Sequence, residues 1–252
     1  MRSEIFINPN YSYFKDFVYQ IPKNFNSLGD IVHAGRNEVR IVNVNGISLV
    51  IKYFKQISLP NKFVYAHIRK SKARRAYEHS MSLLSKDISS PEPVAYINCL
   101  KNGLLYQSYY MCLYTNYKPL EELLILPVTE SGEALKAFAH FSYRLHKAGI
   151  FHNDYNVGNV LYKLKENGYD FSLIDNNRMK LHRYNYYKGI KNMNRLDIPI
   201  GCLGIIASEY AKEANASEIK TLNAMTLARL IYLEKMAVKK GIKFLKKLIL
   251  QY

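Results

Sequence analysis

The residues best suited to chemistry lie in Ile150-Phe151-His152-Asn153-Asp154-Tyr155-Asn156-Val157-Gly158-Asn159-Val160-Leu161, where polar side chains are held between two apolar runs. Polar groups enclosed in this way cost free energy unless they are hydrogen-bonded or used, so this segment is the first place to look for function. Asp154 stands five residues before Asn159, and Leu173-Ile174-Asp175 brings a second carboxylate sixteen residues after Asn159. Phosphoryl transfer needs such a set: one carboxylate beside the acceptor hydroxyl, and an amide oxygen with a second carboxylate as hard ligands for Mg²⁺ on the nucleotide phosphates. Upstream, Ser48-Leu49-Val50-Ile51-Lys52 puts a lysine on an apolar strand. A cation there wants an anion, and Glu78 is expected to supply it while Lys52 reaches the α/β phosphates. Ala34-Gly35-Arg36-Asn37-Glu38 is a candidate phosphate cover through Gly35 and Asn37, with one glycine where a Gly-rich loop has three.

Each residue also has a plainer reading. Asp154 could cap a turn, and Lys52 could snorkel to the surface. Glu78 could be only the i,i+4 partner of Arg74 on a solvated face. Gly35 and Asn37 could form a turn and nothing more. Arg178, three residues past Asp175, is either a contact to the acceptor or a phosphate, or a surface arginine; Asn156 is a second candidate acceptor contact. His152 reads as a packed residue that organises the loop.

The elements that must position these groups are legible from turn chemistry. Asn45-Gly46, Asn102-Gly103 and Asn167-Gly168 each separate segments rich in β-branched and aromatic residues, which predicts three hairpins: 39–44 with 47–54, 94–100 with 104–113, and 160–164 with 169–174. Apolar positions Ala73, Tyr77, Met81 and Leu84 predict a helix over 71–86, and Leu135, Phe138, Phe141 and Leu145 a second over 129–148 that ends at Gly149. The stretch 217–250 reads as a basic helix with Lys235, Lys239, Lys240, Lys243, Lys246 and Lys247. Strand pairs around one helix, followed by mostly helix, give an α+β chain: residues 1–113 as an N-terminal lobe with an antiparallel sheet, and 114–252 as a mostly helical C-terminal lobe.

At this point the sequence resembles the protein-kinase-like superfamily. Lys52, Glu78, the His152/Asp154/Asn159 loop and Asp175 match its motifs in chain order over about residues 30–180. More closely, Ala73-Arg74-Arg75-Ala76-Tyr77-Glu78, Pro91-Glu92-Pro93-Val94-Ala95-Tyr96, His152-Asn153-Asp154 and Ile174-Asp175-Asn176-Asn177-Arg178 resemble the bacterial lipopolysaccharide kinase (Kdo/WaaP) family. The resemblance implies a two-lobed kinase-like fold, ATP and Mg²⁺ as cofactors, and phosphorylation of a sugar hydroxyl on the inner core of lipopolysaccharide at the cytoplasmic membrane face. It implies Lys52 and Glu78 at the nucleotide, Asn159 and Asp175 at the metal, and Asp154 as base. The sequence departs from eukaryotic-type protein kinases where Asn153 replaces the arginine of H-R-D and Asn176-Asn177 replace the Phe-Gly of D-F-G. Peptide recognition and a phosphorylation-dependent switch are what these losses put in doubt.

Composition sets the outer bounds. With 48% hydrophobic and 22% charged residues, the 252-residue chain is expected to bury a sizeable core and fold on its own. Lys and Arg number 36 against 20 Asp and Glu, and a formal charge of +16 calls for an anionic partner. An anionic glycolipid substrate and a peripheral contact with the inner membrane fit this surplus. A nucleic-acid-binding protein with stacking tyrosines also fits the charge, but it leaves Lys52 through Asp175 unexplained, so no nucleic acid is expected. Another small-molecule or antibiotic phosphotransferase, or a pseudokinase scaffold, shares the core residues. Three scattered cysteines read as free thiols, and residues 1–20 lack the apolar region of a signal peptide, so a soluble, cytoplasmic protein is expected.

Overall fold

The computed structural model describes residues 2–249, without the side chains at 243 and 246–249. Lys243, Lys246 and Lys247 of the basic cluster therefore lie outside the described side chains. The chain divides into two compact units, Met1–Asn116 with Ser172–Arg178, and Tyr117–Phe171 with Met179–Tyr252. The sequence-based boundary at 113/114 differs from this division in one way that matters: the stretch carrying Asp175 belongs to the first unit. Hydrogen bonds explain the assignment, because Leu173 N–H donates to Ser89 O and the Asn176 carboxamide donates to Ser80 and Ser90.

The first unit contains β1 (Arg2–Ile7), α1 (Lys15–Asn24), β2 (Asp30–Ala34), β3 (Glu38–Val44), β4 (Ile47–Tyr53), α2 (Leu59–His67), α3 (Lys72–Leu84), β5 (Pro93–Lys101) and β6 (Leu104–Leu113). The strands form one antiparallel sheet in the order β1-β5-β6-β4-β3-β2. Both predicted hairpins in this unit are present, with Asn45 at φ +54° and Gly46 at +83°, and Asn102 at +51° and Gly103 at +72°. A tight two-residue turn with positive φ at both positions matches the twist of its strands, and Asn and Gly bear that conformation at least cost.

Period-2 alternation then decides what β4 does. Leu49 and Ile51 are fully buried on one side of the sheet, in a cluster with Phe14, Val18, Ile21 and Phe25. Spacings of 4, 3 and 4 along α1 and its flanks place those four on one helical face, and burying each contributes about 1.5–3 kcal/mol. Lys52, one residue on from Ile51, faces the other side. There Phe54, Tyr77, Ala73 and Tyr96 form a second cluster, into which α3 packs. Ser71 caps α3 by accepting from Arg74 N–H at 3.0 Å.

The second unit contains β7 (Lys118–Pro119), α4 (Glu121–Leu124), α5 (Val128–Lys147), β8 (Ile150–His152), β9 (Val160–Lys165), β10 (Gly168–Leu173, its last two residues in the first unit), β11 (Met179–Leu181), α6 (Tyr186–Asn192), α7 (Ile200–Glu213) and α8 (Glu218–Ile249). The predicted third hairpin is β9 and β10, next to β7, while β8 pairs antiparallel with β11. Gly149 joins α5 to β8 at φ +75°, and a Cβ there would lie 2.4 Å from His182 O, so only glycine fits the junction. Helix α7 forms although its first turns contain Gly201 and Gly204, residues of low helix propensity. Pro199 stands at the N-cap, and Cys202, Leu203, Ile206, Ala207 and Tyr210 are buried, so packing against α5 outweighs the glycine propensity cost. Among the described residues, no helix is long and apolar enough to cross a membrane.

Candidate active site

In the second unit, β8 and β9 hold the 153–159 loop. Tyr155 N–H donates to His152 O at 3.0 Å, and Asp154 N–H donates to His152 Nδ1 at 3.2 Å. The fully buried imidazole thus shapes the loop from within. Asn159 Nδ2 donates to Asp154 O at 2.8 Å, which leaves the oxygen as the acceptor end of that carboxamide. Asn156 is spent differently from the sequence expectation of an acceptor contact: its Nδ2 donates to Asp154 O and its Oδ1 accepts from Gly158 N–H, both at 3.0 Å. Both ends of its carboxamide close the loop. Asp154 Oδ1 accepts from Arg195 at 2.6 Å, and that guanidinium lies 5.3 Å from the ring centroid of Tyr232 on α8.

Asn192 is a second residue that sequence reasoning missed. Its Oδ1 accepts from His152 N–H at 3.1 Å and its Nδ2 donates to His152 O at 2.8 Å, pinning the backbone that leads into the loop. The same Oδ1 meets His146 Nε2 at 3.1 Å, and His146 Nδ1 meets the Tyr210 hydroxyl at 3.0 Å. These partners fit the neutral imidazole with its proton on Nε2. Burial pushes the His146 pKa from 6.5 down to about 4, the Asn192 bond opposing only in part. The folded state therefore resists a proton that the unfolded chain takes up, and stability falls as pH drops from about 6.5 toward 4. Urea unfolding at pH 7.5 and 4.5 is expected to show wild type losing on the order of 2 kcal/mol more than His146→Gln. Equal losses in the two proteins would remove His146 as the cause.

In the first unit, Lys52 Nζ and Asp175 Oδ1 are 2.7 Å apart, both largely shielded from solvent. Asp175 has φ +57°, a left-handed conformation that aspartate tolerates better than most residues and that surrounding structure must hold. The 3₁₀ turn Asn176–Arg178 supplies that hold. Asn177 Nδ2 donates to Asp175 Oδ1, and Asn176 Nδ2 donates to Ser80 Oγ and Ser90 Oγ at 2.9 Å. His79 Nδ1 lies 2.6 Å from Asn176 O. The Phe-Gly pair is thus replaced by a buried amide clamp on α3.

One expectation is corrected. Glu78 does not pair with Lys52; it accepts from Lys70 at 2.8 Å and from Arg74 at 2.9 Å. Burial raises its pKa and the two cations more than offset this, holding the carboxyl below its usual range. Arg74 sits one helical turn away, a local partner that Lys52 on the sheet cannot displace, while Lys52 finds its anion in Asp175. Glu78→Gln is therefore expected to keep kcat and the ATP KM within about twofold of wild type and to cost under about 1 kcal/mol, as exposed pairs do. Steady-state kinetics and urea unfolding check this, and a large rise in ATP KM would restore Glu78 to the nucleotide site.

Gly35 and Asn37 form the bend between β2 and β3, where Gly35 N–H donates to Asn37 O at 3.0 Å. Gly35 has an ordinary φ, and a Cβ on it would meet only the His33 ring, so nothing in the bend demands glycine. Asn37 Oδ1 is enclosed without a hydrogen-bond partner among the described residues. Arg178 is exposed and close enough to Lys72 and Arg75 for its charge to lower both their pKa values, after burial as the main cause.

Residues 60–210, well over half of the chain, match the model of the lipopolysaccharide kinase (Kdo/WaaP) family. The chain belongs to that family. Among solved structures, it is similar to WaaP in complex with acyl carrier protein at 15% identity and TM-score 0.63, covering 95% of this chain and 99% of that one. It also matches a Rio2 kinase–ADP/Mg²⁺–phosphoaspartate complex from Chaetomium thermophilum at 14% identity and TM-score 0.47, covering 86% and 67%. No curated protein matches the chain in sequence. The fold is kinase-like, with an antiparallel sheet in the N-terminal part and a helical C-terminal part. Family membership makes this lipopolysaccharide kinase a phosphotransferase.

Proposed function

We propose that this kinase transfers the γ-phosphoryl group of ATP to a hydroxyl of a Kdo or heptose residue in the lipopolysaccharide inner core. The observation that carries the reading is the Lys52–Asp175 contact at 2.7 Å, with the aspartate locked in a left-handed backbone, in a chain of this family. Lys52 would bind the α/β phosphates. Asp154, held by Arg195, would orient the acceptor hydroxyl and take its proton. Asp175 in the first unit and Asn159 in the second would each offer a hard oxygen of the kind that Mg²⁺ accepts beside phosphate and water. When bound, Mg²⁺ neutralises charge that builds on the phosphoryl oxygens. Among the described residues no group of three or more His, Cys, Asp or Glu could hold a metal unaided, which suits an ion that arrives with its nucleotide.

Purified full-length chain with Mg·ATP is expected to label lipid A–Kdo core and to leave soluble amino sugars unlabelled. The reverse pattern would favour a small-molecule phosphotransferase on the same scaffold. Mass spectrometry of lipopolysaccharide from cells with and without the gene should differ by one phosphate on the core.

A peripheral membrane contact is part of the same reading. On α8, Lys235, Lys239 and Lys240 are exposed, and so are Leu230, Leu233 and Val238. Basic residues near an anionic leaflet gain about 1 kcal/mol each, within a Debye length of roughly 8–10 Å. Binding to phosphatidylglycerol vesicles should weaken steeply between low and physiological salt, and neutralising Lys235, Lys239 and Lys240 should raise the acceptor KM without changing that for ATP. Unchanged vesicle binding in that variant would make α8 a solvated face.

A further inference from the structure

The first unit holds a pocket of about 610 Å³ that the proposed reaction does not use. Its wall is drawn from five separate segments: Arg36 from the β2–β3 bend, Lys55 just past β4, Lys62 and Tyr65 from α2, Lys72 at the start of α3, and Tyr106 from β6. Four cations line it, and among the described residues no carboxylate does. Among the described residues only Lys55 of the four makes an ion pair, with Glu38 at 3.5 Å.

Convergence of this kind is electrostatically unfavourable without a ligand. Lys72 reports the strain: burial lowers its pKa first, then the charges of Arg36, Arg178 and Arg75, and only Asp175 opposes them. Lys62 and Lys72 rest on aromatic faces, 5.7 Å from the Tyr106 ring centroid and 5.8 Å from that of Phe54. Aromatic rings hold a cation in place but do not cancel its charge. A dianion would satisfy several ammonium and guanidinium donors together. Tyr65 and Tyr106 add hydroxyls that suit a sugar, and a volume of a few hundred Å³ suits one ring with its phosphate.

We infer that this pocket binds a phosphomonoester carried on the sugar acceptor, and so positions an already phosphorylated glycolipid for the next transfer. The inference rests on the kinase reading for its purpose, but the binding itself can be measured apart from catalysis. The full chain is titrated with inorganic phosphate, glucose 6-phosphate, Mg·ATP and phosphatidylglycerol vesicles, as wild type, Lys55→Gln/Lys62→Gln and Lys52→Met. Phosphate and glucose 6-phosphate are expected to bind wild type and Lys52→Met alike and at least tenfold more weakly to the double variant. Mg·ATP is expected to bind the double variant within twofold of wild type and to be weakened by Lys52→Met. Three outcomes overturn the inference. Unchanged phosphate affinity in the double variant means that the pocket is not the site. Parallel loss of phosphate and Mg·ATP makes it the phosphate end of the nucleotide site. Variant-sensitive binding of vesicles without glucose 6-phosphate assigns it to a lipid headgroup. Failure of wild type to bind Mg·ATP would instead count against the kinase reading alone.

Discussion

Asp175→Ala is expected to abolish turnover, with kcat down by roughly 10³ or more at saturating Mg²⁺ and ATP. Two losses combine. The phosphoryl group loses the carboxylate that would help hold its charge-neutralising metal, and Lys52 loses its anionic partner at 2.7 Å and becomes a shielded cation without compensation. Asp175→Asn separates the two, since it keeps the volume and a hydrogen bond to Lys52 while giving up the negative charge. It is expected to fold with near-wild-type stability and to be as inactive as the alanine variant. Normal activity of either protein at saturating Mg²⁺ would remove Asp175 from the site.

The second large effect is expected at Asp154. Asp154→Asn should lower kcat by roughly 10²–10⁴ while ATP affinity stays put, because a group that acts on the acceptor hydroxyl works mainly in the transition state. If ATP affinity collapses and kcat holds, the residue has been given the wrong role. Arg195 provides a further discrimination. It bonds Asp154 Oδ1 at 2.6 Å and leans on Tyr232, while Arg229 of the same helix pairs with Asp197 at 2.9 Å. Arg195→Ala should therefore act through Asp154, lowering kcat by about tenfold, and should have little further effect in the Asp154→Asn background, as residues of one unit are non-additive.

What the sequence disclosed and what it hid follow from the range of the interactions. Hairpins announced by Asn-Gly depend on two adjacent residues, and α3 and α5 on a periodicity repeated over a few turns, so both were readable. Strand β1 and helix α1 are held by distant partners: Arg2 through Ile7 pair with Leu100 back to Ala95, and the helix owes its burial to the sheet beneath it. Nothing local marks β1, whereas the 4-3-4 spacing of Phe14, Val18, Ile21 and Phe25 is a helical signal that the sequence reading passed over. Motif spacing placed Lys52, Asp154, Asn159 and Asp175 as candidates, but Asn192 and Arg195 meet the loop from about forty residues away. A polar residue at the end of a short helix carries no signal of that task. Glu78 shows the opposite error: it stands at the spacing the motif asks for, yet a nearer arginine and lysine hold it.

The clamp on Asn176 bears on how such an enzyme can be inhibited. A compound that bound only when the turn after Asp175 swung aside would have to break this clamp first. Here that excursion would strip Ser80, Ser90 and Asn176 of their mutual hydrogen bonds inside the fold, at about 1–3 kcal/mol for each buried group left unpaired. A compound needing the displaced form would forfeit that energy from its own affinity, tenfold for every ~1.4 kcal/mol. Compounds shaped to the nucleotide or to the acceptor sugar would avoid that penalty, and substitutions at Ser80 or Ser90 would loosen the turn that holds Asp175.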